Sequence, residues 1–325
     1  MKHTKIALVL LFLLVFAGSL FANATAEEYP SKPIDIVLGA SAGSGGDISS
    51  RIIAKYLGQE LGVTINVINT PGGSGVPAVQ SVLSAPANGY TLMSDQGFSS
   101  TNQTVLEQLP YDVFEDRTYI CKIISGPQVL CGNPKMGWSD IRDVATYLKE
   151  NPGKEFFWAG IGKNSAANFA YIQFIQQFDL DISKTTEIRY GGGGEILAAI
   201  AGGHVMIGSC AASGVPSFSQ DGSVKPLVVC GTKRLDSLPD VPCAGELGLD
   251  NITSDFWIGL SGSKDLPQEV IDTLAEAAAN LGNNQEFLDS LAKVGIVYNY
   301  LGPDKMVDAL KADAVKVKEM IMLGD

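Results

Sequence analysis

Four glycine-rich loops are the part of this sequence most able to do chemistry. They span residues 39–46, 70–75, 160–165 and 191–194. Glycine lets the backbone approach a ligand closely and point successive N–H groups at it. Where a helix begins next, its unpaired first-turn N–H groups and its dipole also favour an anion. The loops therefore predict an anion-binding cleft; the alternative is that they are only tight turns between strands and helices.

Residues 39–43 (GASAG) offer a different chemistry, because they fit the G-x-S-x-G pattern of a serine hydrolase. In such an enzyme the serine, here Ser41, is exposed at a sharp turn before a helix, and it needs an acid and a His later in the chain. Beyond Ala26 the chain has a single His, His204, on a predicted apolar strand. The predicted helix begins near Asp47, well after Ser41. A hydrolase is therefore the less favoured alternative.

Cofactor and metal motifs are incomplete. Residues 160–164 lack the spacing of a P-loop, and Ile48 stands where a dinucleotide fingerprint starting at Gly43 needs its third glycine. The single His beyond Ala26 and the absence of a C-x-x-C pair argue against a His-rich or zinc-knuckle site. A site made only of carboxylates stays open. We expect no cofactor and no metal.

Residues 1–26 fit the pattern of a secretory signal peptide. Two lysines precede an apolar run from Ile6 to Ala17, and A-x-A cleavage sites follow between Ala22 and Ala26. The run is shorter than the roughly 20 residues that a membrane-spanning helix needs. No cysteine stands near the cleavage region to carry a lipid anchor. The sequence therefore predicts export.

The composition excludes some classes of partner. The chain has 325 residues, of which 46% are hydrophobic, and a net charge of -12. Without the segment 1–26, the chain keeps 21 Lys and Arg against 35 Asp and Glu, a net charge of -14. This charge argues against nucleic-acid binding and against an anionic membrane surface. The length fits about two domains.

The five cysteines stand at positions 121, 131, 210, 230 and 243. Cys121, Cys131 and Cys230 lie in apolar, strand-like runs, so we interpret them as buried small hydrophobic residues. Export permits disulfides. A bridge among Cys210, Cys230 and Cys243 therefore stays open.

Strand and helix patterns alternate along the rest of the chain. Residues 34–38 are typical of a buried strand, apolar residues recur at helical spacing from Ile48 to Leu61, and a second strand is predicted at 63–68. Later strands are predicted at 90–93, 156–158, 187–190, 204–207, 224–231 and 256–259. Helices are predicted at 76–84, 139–150, 267–281, 284–293 and 303–322. This alternation predicts βαβ units and mostly parallel sheets.

The pattern restarts after Pro134, which predicts an α/β protein with two lobes, each a mixed sheet flanked by helices. We expect the first lobe (lobe 1) to comprise the segments 27–128 and 250–325, and the second lobe (lobe 2) to comprise the segment 129–249. Two chain crossings between the lobes would form a hinge with a cleft between them. We expect a monomer.

Short motifs in a fixed order carry a family resemblance over essentially the whole chain after Ala26. They are Tyr29–Ile34, Gly45–Asp47, Asn69–Gly75, Ala87–Leu92, Tyr190–Gly192, Ala201–Val205, Leu238–Pro242 and Phe256–Leu260. In these motifs the chain resembles the substrate-binding receptors of tripartite tricarboxylate transporters, the periplasmic family related to the Bordetella uptake gene (Bug) products.

The resemblance implies a type II-like periplasmic binding protein, or Venus flytrap, rather than an enzyme. Such a receptor captures a small organic anion, a mono-, di- or tricarboxylate, and delivers it to a membrane permease of large and small subunits. A periplasmic receptor for a sensor kinase has the same fold, and this alternative stays open.

The resemblance and the loops together predict the ligand-binding residues. The loops contribute backbone N–H groups, hydroxyls and amides. Asp47 either caps the first helix or touches the ligand. The predicted residues are Ser41, Ala42, Ser44, Gly45, Gly46, Asp47, Thr70, Ser74, Ser99, Ser100, Thr101, Gly160, Lys163, Asn164, Ser165, Asn168, Tyr190 and Gly191.

Four departures from the family's pattern stand out. Gly39-Ala40 replaces the usual Pro-Phe, and Gly191 replaces a Lys. Met206 and Cys210 stand where the family usually has Asp. These departures predict a ligand that differs from the common dicarboxylates and is bulkier or less charged.

Overall fold

The structure, a computed structural model, describes residues 28–97, 108–162 and 165–324. Contacts divide the chain into two units, Met1–Ser31 and Lys32–Asp325. All the elements named below belong to the second unit. None of the helices in the described ranges is long and apolar enough to cross a membrane.

Ten strands and nine α-helices make up the described part of this unit. The strands are β1 (Ile34–Leu38), β2 (Ile65–Asn69), β3 (Thr91–Gln96), β4 (Arg117–Gly132), β5 (Phe157–Gly160), β6 (Thr186–Arg189), β7 (Ile207–Ala211), β8 (Lys225–Val229), β9 (Asp255–Ser263) and β10 (Val297–Leu301). The helices are α1 (Gly45–Leu61), α2 (Val76–Leu83), α3 (Ile141–Glu150), α4 (Ala166–Gln177), α5 (Gly193–Gly202), α6 (Pro216–Ser219), α7 (Gln268–Asn280), α8 (Gln285–Ala292) and α9 (Pro303–Gly324).

The strand order is β2-β1-β3-β9-β4-β7-β5-β6, with β8 and β10 also pairing with β4. β1 pairs in parallel with β2 and β3, and β5 pairs in parallel with β6 and β7. β9 and β4 run antiparallel to their neighbours. The fold is the predicted two-lobe α/β architecture with mixed sheets.

β4 joins the two halves of the sheet. Its segment 117–127 pairs with β9, whereas the segment 128–132 pairs with β7 and β8. Gly126 and Pro127 stand where the pairing partner changes, which suits proline because it has no N–H to donate to a ladder. The chain returns through Ser254 into β9. The residue boundaries of the two lobes stay a prediction.

The alternation of side chains along the strands builds two hydrophobic clusters in the second half of the sheet. Leu130 and Trp158 face one cluster, in which Trp158 stacks on Tyr171 of α4 with ring centroids 4.2 Å apart. Val129 and Ala159 face the other, which packs on α5. These clusters fix the carboxyl ends of β5 and β7 relative to the loops that follow.

A buried ion pair ties the first half together. Arg117 at the start of β4 pairs with Asp95 on β3, and it also donates a hydrogen bond of 2.8 Å to Ser261 on β9. Both charged side chains are almost completely buried. The pair fixes the end of β3, from which Gln96 and Gly97 extend.

Two features of the chain differ from the sequence-based expectation. The strand predicted at 204–207 is wrong, because the observed strand, β7, begins only at Ile207. His204 lies in an exposed turn after α5, whose C-cap Gly203 has the left-handed φ of 76° that favours glycine. The pattern also missed β10, whose half-exposed residues carry little hydrophobic signal.

Candidate functional site

The first glycine-rich loop is held by a cap at the start of α1. Ser44 is the N-cap and accepts a hydrogen bond of 3.2 Å from the N–H of Asp47. The Asp47 carboxylate accepts 2.9 Å bonds from the Gly43 N–H and from the side chain of Asn69, and pairs with Arg51 at 2.9 Å. Burial opposes its ionisation, but these partners outweigh burial and lower the pKa of Asp47. Its role in the structure is to hold the loop.

The loop before α4 repeats this arrangement with a neutral residue. Ser165 is the N-cap and accepts a 3.2 Å bond from the N–H of Asn168. The Asn168 side-chain oxygen accepts from the N–H groups of Ile161 at 2.9 Å and Gly162 at 3.3 Å. Its amide nitrogen donates to Glu187 at 2.8 Å. Both helices thus begin with a serine cap and a residue three positions later that reaches back to the preceding loop.

The loop before α5 uses a carboxylate for the same purpose. Glu195, in the first turn, accepts a 2.9 Å hydrogen bond from the Gly191 N–H. Its other oxygen accepts one of 3.4 Å from the hydroxyl of Ser41. The loops before α1 and α5 therefore touch each other.

The backbone of the loop at 72–75 adopts an unusual conformation. Gly72, Gly73, Ser74 and Gly75 all have positive φ, with 51° for Ser74. Three glycines make this run accessible, whereas Ser74 is strained. The run leads into α2, and its strain is typical of a loop kept for a function.

These loops surround one cavity of about 500 Å³. Its described wall comes from all four glycine-rich loops, from the ends of β3 and β7, from the first two turns of α4, from the start of β9 and from α9. The lining residues are Gly39, Ala40, Ser44, Gly45, Gly46, Gly72, Gly73, Ser74, Gly75, Gln96, Gly97, Gln128, Ile161, Ser165, Ala166, Ala167, Phe169, Gln173, Tyr190, Gly191, Gly192, Gly193, Cys210, Ala211, Thr253, Ser254, Asp255, Phe256, Trp257 and Asp313.

The N-termini of three helices, α1, α4 and α5, open onto this cavity. The first-turn N–H groups of a helix have no partner within it, and its dipole places partial positive charge there. Gly45 and Gly46 present such groups from α1, and Ala166 and Ala167 present them from α4. The cavity is therefore built to receive negative charge through backbone donors.

The comparison with known proteins decides the family. The family model described as the tripartite tricarboxylate transporter family receptor matches residues 49–322. The chain belongs to this receptor family. The resemblance seen in the sequence motifs is thereby confirmed.

Relatives and solved structures agree with this assignment. The receptor is 26% identical to the UPF0065 protein in the gbd 5' region of Cupriavidus necator, over 93% of this chain and 90% of that protein. It is 24% identical to BugT of Bordetella pertussis, over 94% and 93% of the two chains. Its fold is similar to R. palustris Rpa4515 with adipate (TM-score 0.83, 22% identity, 90% and 98% covered). It is also similar to MatC (Rpa3494) from Rhodopseudomonas palustris with bound malate (TM-score 0.79, 20% identity, 90% and 100% covered).

Three of the receptor's four departures from the family pattern lie on the cavity wall. Gly39-Ala40, Gly191 and Cys210 line it, whereas Met206 packs against the cluster around Leu130 and Trp158. A Cβ placed on Gly191 would lie 2.8 Å from an oxygen of Glu195. A carboxylate thus stands beside the position where the family usually has a Lys.

The structure brings together only part of the predicted ligand-binding set. Residues that line the cavity are Ser44, Gly45, Gly46, Ser74, Ser165, Tyr190 and Gly191. Residues that stand behind or beside the wall are Ser41, Ala42, Asp47, Thr70, Gly160 and Asn168. Residues that lie outside the described ranges are Ser99, Ser100, Thr101, Lys163 and Asn164.

Residues behind the wall position the loops. Thr70 donates its N–H to the Leu38 carbonyl at 2.8 Å, which continues the β1–β2 ladder. Gly160 has no room for a side chain, because a Cβ there would lie 2.3 Å from Glu187 and 2.7 Å from Asn168. These residues support the cavity without facing it.

Sequence reasoning missed one side of the wall. Asp255, Phe256 and Trp257 line it from β9, Asp313 from α9, and Phe169 from α4. Phe169 had a local signal, because it falls one turn after the capped start of α4, and Phe256 and Trp257 begin the motif Phe256–Leu260. Asp255 and Asp313 had none, because they reach the cavity through sheet pairing and helix packing.

The hydrolase alternative finds no support in the geometry. Ser41 bonds to Glu195, and no histidine is among the described residues of the cavity wall. His204, the candidate base, lies in the exposed turn after α5.

The cysteines are buried thiols. All five are free, so the bridge left open among Cys210, Cys230 and Cys243 is not formed. Burial raises the pKa of the Cys121 thiol to about 12, and burial together with neighbouring thiols raises that of Cys131. In the described ranges, no group of three or more His, Cys, Asp or Glu residues could hold a metal.

Proposed function

We propose that this receptor binds a small organic anion, a carboxylate, in the cavity and delivers it to a membrane permease of large and small subunits. The convergence of the α1, α4 and α5 N-termini on one cavity carries the proposal. Membership of the transporter receptor family supports it, as do solved structures of similar fold with adipate and malate. The segment 1–26 would act as the export signal, and the receptor would work in the periplasm.

Burial of a carboxylate is costly unless several donors replace its water. Backbone N–H groups at Gly45, Gly46, Ala166 and Ala167 offer such donors in fixed positions. Charge-assisted bonds of this kind are stronger than neutral ones. The chain beyond Ala26 carries a strong negative net charge. The receptor can still bind an anion, because the groups that bind it are N–H groups at helix N-termini and not charged side chains on the surface.

Binding would be coupled to closure of the two lobes. In the predicted division, α1 belongs to lobe 1, whereas α4 and α5 belong to lobe 2. An anion between them gains donors from both sides only when the lobes meet. It therefore shifts the population toward the closed state by its differential affinity.

Native mass spectrometry of the purified protein tests the proposal. We expect a carboxylate of low mass that co-purifies with the folded protein and is released when the protein is unfolded. Adding that carboxylate back to ligand-free protein should raise the melting temperature. Ser165→Ala and Ser44→Ala should weaken this binding, whereas the exposed Ser183→Ala should not.

A cationic or neutral co-purified compound, with no stabilisation by any carboxylate, would contradict the proposal. Ester cleavage that disappears in Ser41→Ala would support the hydrolase instead.

A further inference from the structure

Gln128 is a buried polar residue of the cavity wall that no sequence motif singled out. It is the residue of β4 at which pairing changes from β9 to β7, and it is only 4% exposed. It nevertheless lines the cavity. Because a buried polar group without a partner costs stability, the bonds that Gln128 makes and leaves unmade indicate what its side chain does.

The backbone of Gln128 is fully engaged in the sheet. Its N–H donates to the carbonyl of Ser254 at 3.0 Å, and its carbonyl accepts from the N–H of Cys230 at 2.8 Å. Ala211 of β7 stands opposite it in the ladder. These contacts fix the position of the residue, so the side-chain amide is the part that can serve another purpose.

One residue links Gln128 to each of two helix N-termini. Ser254, which accepts the Gln128 N–H, donates its hydroxyl to the carbonyl of Ala166 at 2.7 Å, at the start of α4. Ala211, opposite Gln128, is the residue whose Cβ would lie 2.7 Å from a Cβ placed on Gly45, at the start of α1. Gln128 therefore lies between the ends of α1 and α4 whose N–H groups open onto the cavity.

The amide of Gln128 is oriented by Ser209. The Ser209 hydroxyl, completely buried on the same side of the sheet, donates a 3.2 Å hydrogen bond to Oε1 of Gln128. Nε2 makes no hydrogen bond to any described residue, and it is not completely enclosed. Since the residue is otherwise buried and lines the cavity, the surface that Nε2 retains faces the cavity. Nε2 carries two N–H donors and no acceptor.

A neutral donor matters at this place because the described wall offers no cation. None of the described lining residues is Lys, Arg or His, and Lys163 lies outside the described ranges. The oxygens of an anion therefore meet N–H and O–H groups on this wall. A hydrogen bond from a neutral donor to a charged acceptor is stronger than one between two neutral groups. The free N–H groups of Gln128 thus suit a carboxylate oxygen.

We propose that Gln128 is a ligand-binding residue, whose Nε2 donates a hydrogen bond to the carboxylate held by the N–H groups of α1 and α4. Ser209 is a positioning residue, which keeps the nitrogen rather than the oxygen of the amide toward the cavity. This inference rests on the proposed function, because it takes carboxylate capture in the cavity as given.

Two substitutions at Gln128 separate a donor from a packing residue. The probe is the tightest binder to wild type among malate, adipate, benzoate and any co-purified carboxylate, titrated by calorimetry. Gln128→Met removes the donor at similar length, and we expect binding about 10- to 100-fold weaker. Gln128→Glu keeps the shape and the oxygen that Ser209 bonds, but replaces the donor with an anionic oxygen. At about pH 9, where glutamate is ionised, we expect it to bind more weakly than Gln128→Met.

The order of these two variants is the decisive result. A packing role predicts the opposite order, because glutamate matches glutamine more closely in shape and retains the bond from Ser209. Gln80→Glu is the matched control, since it makes the same substitution at an exposed position of α2 outside the cavity wall. We expect it to bind like wild type. Circular dichroism and urea unfolding without ligand verify that each variant is folded.

Ser209→Ala tests the positioning role. We expect it to weaken binding in the wild-type background and to have no further effect in Gln128→Met, because it acts through the amide. A residue that only stabilises the sheet would change the urea midpoint alike in both backgrounds and leave affinity unchanged. If Gln128→Glu fails to fold, Gln128→Met and this cycle decide.

The outcomes are distinguishable. Wild-type affinity in Gln128→Met overturns this inference and leaves carboxylate capture standing. Tighter binding by Gln128→Glu than by Gln128→Met also overturns it, as does wild-type affinity in Ser209→Ala for the positioning role. If no carboxylate of the set binds wild type and none co-purifies, the proposed function fails and the inference fails with it.

Discussion

Gly45 is the position at which an added methyl group should keep the two sides of the cavity from closing fully. It begins α1, and the residues opposite it, Ala211 and Ser213, belong to β7 and the turn after it. A Cβ on Gly45 would lie 2.7 Å from the Cβ of Ala211 and 2.5 Å from the hydroxyl oxygen of Ser213. The predicted division places these elements in different lobes, so we expect Gly45→Ala to act on closure.

The size of the effect follows from these distances. Carbon atoms pack at about 3.5–4.0 Å, so the contact with Ala211 is too short by about 1 Å. Overpacking of this kind costs about 1–3 kcal/mol. Alanine in place of glycine within a helix adds about 0.5–1 kcal/mol of stability, but it does so in the open and the closed state alike and cancels in the binding free energy. The cost of about 1–3 kcal/mol on closure predicts an affinity about 5- to 150-fold weaker, since about 1.4 kcal/mol is tenfold.

Calorimetric titration of the co-purified carboxylate measures this loss, and urea unfolding without ligand measures the stability of the fold. We expect weaker binding with a urea midpoint that is unchanged or slightly higher, because alanine favours the helix. The triple variant Gly45→Ala/Ala211→Gly/Ser213→Ala should recover most of the affinity, because the next nearest atom lies at 3.7 Å. Gly153→Ala, where a Cβ meets nothing within 4 Å, is the control. Wild-type affinity in Gly45→Ala would refute the reasoning. A lowered urea midpoint would mean that the clash also destabilises the unliganded protein, and the contact would then lie inside one lobe.

Three further predictions concern stability and reactivity. Asp95→Asn should lower the free energy of unfolding by about 3–5 kcal/mol, measured in urea, because it leaves the buried Arg117 without its carboxylate. The pKa of Asp47 lies below its ordinary value of 3.8, so its stabilisation is present above that value and is lost as pH falls through the lower, folded value. Urea midpoints between about pH 5 and about pH 2 should therefore fall more steeply for wild type than for Asp47→Asn. The five buried thiols should react with a thiol reagent only after unfolding; fast reaction of any one in the native protein would contradict their burial.

Much of the fold followed from local patterns. The buried strand at 34–38 and the helical spacing up to Gly62 are found as β1 and α1, because their signals lie within one element. The start of α1 was placed near Asp47, slightly late, since the glycines at 45 and 46 hid the serine cap at Ser44. β4 was visible only as apolar runs around two cysteines. Its role as the strand shared by both halves depends on pairing with β7, β8 and β9, which are distant in sequence.

The sequence by itself determined the family and the glycine-rich loops, because collinear motifs and glycine spacing are local properties of the chain. Part of the predicted ligand-binding set, from Ser44 to Gly191, lines the cavity; other members, behind the wall, position the loops. Only the tertiary structure decided which other residues complete the wall. Asp255 and Asp313 line the same cavity although they are far apart in the chain, since β9 and α9 both contribute to its wall. Helix ends can be found in a sequence, whereas the rest of the wall is set by packing between elements that are distant in the chain.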